Sequence, residues 1–246
     1  MKLTVIGCLG GYPYKGQGTT SFLLQSEGFN LLLDAGSGSL IQLEKEISPL
    51  ELDAVILSHY HPDHIADVGV LQHYWQLFPK TEERPVLPIY GHGEDQENFA
   101  RLSLPNVSEG HDYLGVEQLN LGPLSVTFMK TIHPVACYAM RFVENSTGKI
   151  FVFTGDSGYL ESFVDFAKDA DLFLADTYLF AGNEKHIAHF TSKEVGEISR
   201  EAGVKKLVLT HLPQQGDLEK LRLEASQAAQ DELSVELAAI GKTFDI

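Results

Sequence analysis

The sequence predicts an α/β protein, a four-layer αβ/βα sandwich folded as one domain over residues 1–246. Two observations predict it. Short apolar runs of extended character alternate with stretches of helical spacing from the first residues onward. The order strand, turn, helix, strand also occurs twice, in "NLLLDAGSGSLIQLEKEISPLELDAVILSHY" at 30–60 and in "IFVFTGDSGYLESFVDFAKDADLFLADTYL" at 150–179. Such a weak internal repeat suits two similar halves that face each other as sheets, with helices outside. With 43% hydrophobic and 21% charged residues, the chain can fill one large core.

Taken in order, Leu3 to Ile6, Ser21 to Gln25 and Phe29 to Leu33 read as strands separated by Gly-rich turns, a β-meander. The segment 37–47 changes to helical spacing, and Leu52 to Leu57 returns to a buried strand. Beyond it, Ile65, Val68, Leu71, Gln72 and Trp75 share one helical face. His61 stands at the N-cap of that helix and Pro62 at its first position, where a missing N–H costs nothing. Residues 78–123 read as loops with brief elements and one short strand, Val86 to Tyr90. Two strands joined at His133-Pro134 span Leu124 to Phe142, and the leucines and alanines of 217–240 predict a packing helix.

Composition narrows the function. Eighteen basic against 34 acidic residues give a formal charge of −16, which argues against a broad surface for nucleic acid, so an anionic substrate must meet a local positive charge. Two cysteines, Cys8 and Cys137, read as small core residues in a reducing cytoplasm rather than as a disulfide framework. No apolar stretch approaches the ~18 residues that cross a bilayer. The N-terminal apolar run, interrupted by glycines, reads as a first strand rather than a signal.

Chemically loaded residues fall at the C-terminal ends of apolar strands. His59, His61, Asp63 and His64 follow "AVIL", His133 follows "VTFMKTI", Asp156 follows "IFVFTG", and His211 follows "KKLVLT". Imidazole and carboxylate donors converging at one sheet edge, without thiolate, suit a first-row cation, with Zn²⁺ expected and Mn²⁺ as the second choice. The i, i+2 pair His59 and His61 can grip one ion, with His133 completing that site. Asp63 and His64, displaced onto a helical turn, can grip a second with His211, and Asp156 can bridge both. A lone strand-end histidine such as His133 is by itself more often a hydrogen-bonded core or surface residue. Packing His-x-His-x-Asp-His without a cation, however, would leave several polar groups unpaired.

These motifs resemble the metallo-β-lactamase superfamily of binuclear hydrolases. "SHYHPDH" is similar to its signature, and "LLLDAGSGS", the His133 strand end, "FTGDSG" and "LTHLP" follow in the order that superfamily uses. The resemblance spans nearly the whole chain and implies the metallo-β-lactamase fold, with a two-ion site formed by His59, His61, Asp63, His64, His133, Asp156 and His211. Asp34 reads either as the residue orienting one of these ligands or as a turn-forming Asp before Gly.

Two adjacent cations lower the pKa of a shared water, giving a bridging hydroxide, so hydrolysis is the expected reaction, with Asp63 orienting the attacking group. The stretch "HIAHFTSKEVGEI" narrows it. Thr191 and Glu194 have the spacing of a capping box, which leaves His189 near the positive end of a helix. With "ADTY" at 175–178 this is similar to ribonuclease Z, and the resemblance makes His189 a candidate to stabilise the transition state or protonate the leaving oxygen. The alternative for His189 is a surface histidine at a helix start. Asp176 stands where that family has a glutamate.

Two departures redirect the substrate. Ribonuclease Z carries a long arm for tRNA between the equivalents of His133 and Asp156, whereas here a hairpin fills 23 positions. Its basic Arg-Asn segment is replaced by "GYPYKGQGTTS". With the negative charge, these features argue against tRNA and for a small or cyclic phosphodiester cleaved by a phosphodiesterase. A carbonyl-directed hydrolase, lactonase or thioesterase, is the enzymatic alternative on this fold, and a non-catalytic metal-binding protein the alternative of another class. The family resemblance also allows a homodimer. Tyr12, Tyr14 and Lys15 are candidates for the pocket mouth or for plain turn positions. His73, His92, His111 and His186 read as surface or loop residues.

Overall fold

The computed structural model describes residues 1–79 and 85–246. The meander forms as expected: β1 (Lys2–Gly7), β2 (Ser21–Ser26) and β3 (Phe29–Leu33) pair antiparallel. The short helix α1 (Ser39–Leu43) then crosses to β4 (Ala54–Ile56), parallel to β3. His61 is the N-cap of α2 (Pro62–Ile65), and Pro62 opens that turn. In α3 (Val68–Leu77), Val68, Leu71, Gln72 and Trp75 make the buried face.

The region 78–123, expected as loops with one strand, holds more regular structure. β5 (Leu87–Gly91), α4 (Gln96–Ala100), β6 (Ser108–Asp112) and β7 (Leu119–Leu121) lie in it, with β5 and β6 extending the first sheet in parallel. β5 is the strand expected at Val86 to Tyr90, whereas β6 was hard to see because its polar residues sit on a half-exposed edge. Part of that expected loop, residues 80–84, lies outside the described residues.

The second half repeats the pattern. β8 (Leu124–Lys130), β9 (Tyr138–Glu144) and β10 (Ile150–Phe153) pair antiparallel. After α5 (Phe163–Phe166) the chain runs parallel through β11 (Leu172–Asp176), α6 (Ser192–Glu201) and β12 (Lys206–Thr210). The predicted helix at 217–240 is corrected. α7 (Leu218–Ala228) stops where Gln230 and Asp231 both take left-handed conformations, with φ near 56°. The alternation of "SVEL" then makes β13 (Ser234–Leu237), parallel to β12. Finally β14 (Thr243–Asp245) returns to pair with β1.

The described strands make two seven-stranded sheets, β14-β1-β2-β3-β4-β5-β6 and β13-β12-β11-β10-β9-β8-β7. Both faces of the first are buried, so its central strands read as unbroken apolar runs. Leu31, Leu33, Ala54 and Ile56 point into the inter-sheet core, while Leu32 and Val55 point outward to Leu43, Leu71 and Trp75. Phe22 meets Phe153 edge to face across the core, with ring centroids 5.7 Å apart. Val195, Ile198, Leu221 and Ala225 place α6 and α7 in the core cluster that contains the second sheet. The parallel strands β4, β10, β11 and β12 all release their chains at one edge of the sandwich, which is where open α/β sheets build their sites. Among the described residues, no helix is long and apolar enough to cross a membrane.

Replacing Phe153 with Ala removes a fully buried ring from between the sheets. Urea unfolding of this variant should register a loss of about 3–5 kcal/mol, and a loss below about 1 kcal/mol would contradict this description of the core.

Candidate metal centre

Each strand end delivers its side chain by a distinct local device. β4 is anchored by Tyr113, whose buried hydroxyl donates to Leu57 O at 3.0 Å, and the chain then turns through His59 to the N-cap at His61. Asp63 and His64 ride on the first turn of α2. His133 lies between β8 and β9. Gly155, at φ 59°, turns the chain after β10 so that Asp156 faces inward. His211 follows β12 in a left-handed conformation, at φ 51°. Its ring lies so close over Gly10 that a Cβ there would come within 2.5 Å of the imidazole, so only glycine fits.

All seven residues expected as ligands come together in two clusters. In each, the donor atoms lie within 4.8 Å of one another. One cluster holds His59, His61, His133 and Asp156, and the other Asp63, His64, His211 and Asp156. His133 Nε2 is 3.0 Å from His61 Nδ1 and 3.9 Å from Asp156 Oδ2, and His59 Nε2 is 3.7 Å from the same oxygen. In the second cluster His211 Nε2 stands 3.1 Å from Asp63 Oδ2 and 3.3 Å from Asp156 Oδ2, and His64 Nε2 is 3.2 Å from Asp156 Oδ1.

His59 Nε2, His64 Nε2 and Asp156 Oδ1 are buried and make no hydrogen bond. Burying such atoms unpaired costs several kcal/mol in total, and a divalent cation between them removes that cost. The oxygen and nitrogen donor set, free of thiolate, fits Zn²⁺ or a similar ion. The outer nitrogens are held too. His59 Nδ1 meets Ser58 Oγ at 3.0 Å, His64 Nδ1 meets Asp34 Oδ2 at 2.7 Å, and His133 Nδ1 meets Ala188 O at 3.1 Å. Such contacts turn the inner nitrogen of His64 and His133 toward the cluster as a lone pair.

Electrostatics divide the two clusters. Burial, reinforced by neighbouring imidazoles, lowers the pKa values of His59, His61 and His133, leaving neutral rings suited to ligation. Burial also acts against charge on His64, but Asp156 and Asp34 outweigh it and push this imidazole up to about 10. His211 is likewise raised, burial being overcome by Asp156 and Asp176. A cation and these protons compete for the same nitrogens, so ion binding in the second cluster releases protons.

The Metallo-beta-lactamase superfamily matches residues 14–232. The chain belongs to this superfamily of metal-dependent hydrolases. The probable metallo-hydrolase YhfI of Bacillus subtilis is 44% identical over 239 residues, 96% of each chain. Its crystal structure superposes with a TM-score of 0.94 at 41% identity, covering 99% of this chain and 98% of that one. Ribonuclease Z of Methanothermobacter thermautotrophicus is 25% identical, over 100% of this chain and 99% of its own. A diphosphatase of the PhnP family shares the fold, with a TM-score of 0.78 at 19% identity over 100% and 97% of the two chains.

Over the superfamily's clustered donors opens a cleft of about 250 Å³, with Tyr178 and His189 among its lining residues. His189 Nδ1 is 2.9 Å from Asp176 Oδ2, and its ring stacks on His211 with centroids 5.1 Å apart. Burial disfavours charge on His189, yet the Asp176 carboxylate outweighs it and raises the pKa. Thr191 caps α6: its Oγ1 accepts from Glu194 N at 3.2 Å, and Glu194 Oε2 accepts from Thr191 N at 2.9 Å. Asp34 is buried against His64, one of the residues it was expected to contact. It turns the chain at φ 55° and accepts from Ser58 N, Ser58 Oγ and His64.

Several expectations are corrected. His92 is a buried residue at the end of β5, not a surface one; it packs against Tyr60 and Tyr138, centroids 4.4 and 5.6 Å away, and stays out of both clusters. His111 lies on β6, half-buried against Tyr90, while His73 and His186 are exposed as expected. Of the two readings for Tyr12, Tyr14 and Lys15 the turn and surface one holds: Tyr14 and Lys15 belong to a turn that lines a separate cavity, and Tyr12 is exposed outside the cleft lining. Three contributors lay within the quoted motifs without being given a role: Ser58, Tyr178, and Gly11, whose N–H donates to Asp63 Oδ2 at 2.6 Å.

Asp34→Ala strips His64 of the acceptor that orients it. Titration against a competing chelator should show zinc affinity falling about 10–100-fold; wild-type affinity in that variant would dismiss the orienting role.

Proposed function

We propose that the chain is a metal-dependent phosphodiesterase that cleaves a small or cyclic phosphodiester. One observation carries the reading: the His189–Asp176 pair stands beside the two donor clusters, with His189 stacked on His211 and lining a cleft of about 250 Å³. The names of relatives, ribonuclease Z and a PhnP-family diphosphatase, point to phosphorus-centred chemistry. Against tRNA stand the charge of −16 and the short β9–β10 hairpin between His133 and Asp156.

In this reading His59, His61 and His133 would hold one divalent ion and Asp63, His64 and His211 a second, with Asp156 a member of both donor sets. Such a pair, zinc by the donor chemistry, supplies the Lewis acidity that acidifies water and offsets charge on a phosphoryl group. Asp63, fixed by Gly11 N–H, accepts a hydrogen from the attacking water and orients it. The water oxygen bonds to phosphorus, and the leaving oxygen departs with its electron pair. With Nδ1 engaged by Asp176, His189 presents Nε2–H to the cleft and passes that proton to the leaving oxygen. That donor is the charged imidazolium, which Asp176 stabilises and orients through Nδ1–H.

His189→Ala separates this function from acyl hydrolysis. On a cyclic nucleotide, whose ribose oxygen leaves poorly without a proton, kcat should fall by about 10²–10⁴-fold with metal content unchanged. On bis(4-nitrophenyl) phosphate the loss should be smaller, since nitrophenolate leaves unprotonated. A wild-type enzyme that turned over lactones or thioesters but neither phosphodiester would refute the proposal.

A further inference from the structure

A second cavity, of about 270 Å³, lies apart from the metal centre and shares no lining residue with its cleft. One wall is made by Ile41 and Gln42 of α1 and by Lys45 in the turn that follows it, and another by the tip of the loop that carries Tyr14 and Lys15. Two lysines and no carboxylate line it, in a chain with 34 acidic and 18 basic residues. Glu44 and Glu46 flank Lys45 in sequence but are not among its lining residues. Among the described residues neither lysine has a carboxylate partner. Lys45 Nζ donates to Gln42 Oε1 at 2.9 Å, and Lys15 Nζ lies 5.2 Å from the centroid of the Tyr14 ring.

The loop tip is itself informative. Tyr14 N donates to Gln17 O and Gln17 N to Tyr14 O, which closes a two-residue turn on Lys15 and Gly16. Both have positive φ, 48° and 77°, the pattern of a type I′ turn. Asn or Gly suits its first position; a lysine there holds a left-handed backbone against its steric preference. Lys15 and Lys45 line the same cavity. Beside the charges lie apolar surfaces that solvent reaches, with Tyr14 40% and Ile41 71% exposed.

We infer that this cavity is a binding site for a small organic phosphate of mononucleotide size, its phosphate between Lys15 and Lys45 and its ring against Tyr14 and Ile41. Lysine ammoniums bind phosphate as point charges, and an exposed aromatic face accepts a nucleobase by stacking. A small cavity in a strongly anionic chain selects a small anion over a polymer. The assignment stands apart from the phosphodiesterase reading, because no residue of the cavity belongs to the metal centre.

The test is ¹H–¹⁵N NMR of the zinc-loaded protein titrated with adenosine monophosphate, with adenosine as the uncharged control. Saturable shifts at the amides of Gly16, Gly18 and Gly38 are expected, with binding weakened tenfold or more in Lys15→Ala/Lys45→Ala. Lys15→Gln/Lys45→Gln should weaken it equally, and an unchanged melting temperature for either variant shows that the fold is intact. Three results would overturn the inference: shifts confined to the metal-centre cleft, wild-type affinity in both double variants, or equal shifts from adenosine, which would remove phosphate as the determinant.

Discussion

The constraint on which the rest depends is the burial of imidazole nitrogens and carboxylate oxygens around Asp156, with His59 Nε2, His64 Nε2 and Asp156 Oδ1 lacking hydrogen-bond partners. A protein interior tolerates such a group only when something of opposite charge replaces water. That requirement reaches outward into the backbone. His211 holds a left-handed conformation, Gly10 leaves room for its ring, and Gly36 lets Asp63 O approach to where a Cβ would come within 2.1 Å. Local strain of this kind persists only where surrounding structure over-determines it. Here the two sheets do so, because the strained residues follow strands locked in the core.

Much of this was legible in the chain itself. His59, His61, Asp63 and His64 announce themselves because four donors in six positions are hard to bury otherwise, and the rule that buried strands release side chains at one edge then gathers His133, Asp156 and His211. His92, read as a surface or loop residue, does follow a buried strand, one residue past β5, and is buried without joining the clusters. There the ring turns between Tyr60 and Tyr138, and Tyr60 Oη donates to His92 O, so tertiary packing rather than strand position decides its direction. Ser58 was given no role because a serine before a histidine is unremarkable until Asp34 appears beside it in space, 24 residues away in sequence.

The missed strands follow one physical pattern. β13 and β6 lie at or near sheet edges, where one side is half-exposed and alternation weakens. At 217–240, leucines and alanines at helical intervals carried the helix prediction past the two left-handed residues that end α7. Asp and Gln tolerate that conformation without announcing it as glycine would. The internal repeat fared better, because it depends on order rather than on boundaries: each half goes from an antiparallel meander to a parallel crossover at equivalent places.

The shorter carboxylate at position 176 works because of where β11 ends. An aspartate reaches one methylene less than a glutamate, yet Asp176 is the last residue of β11, paired in register with Thr210 of β12. That register puts it immediately beside the strand that leads to His211. Its oxygens divide, Oδ2 to His189 Nδ1 at 2.9 Å and Oδ1 toward His211 Nδ1 at 3.4 Å. One carboxylate thereby orients both the proposed proton carrier and a residue of the second donor cluster. Ser157 N and Tyr178 N donate to it as well, so Asp176 has little freedom to follow a displaced partner. His189 is confined from the other side by the capping box of α6, which begins two residues later. The placement of the proton carrier relative to the clusters is therefore set by backbone register in the second sheet and by one helix start, both rigid elements, rather than by the loop on which His189 itself resides.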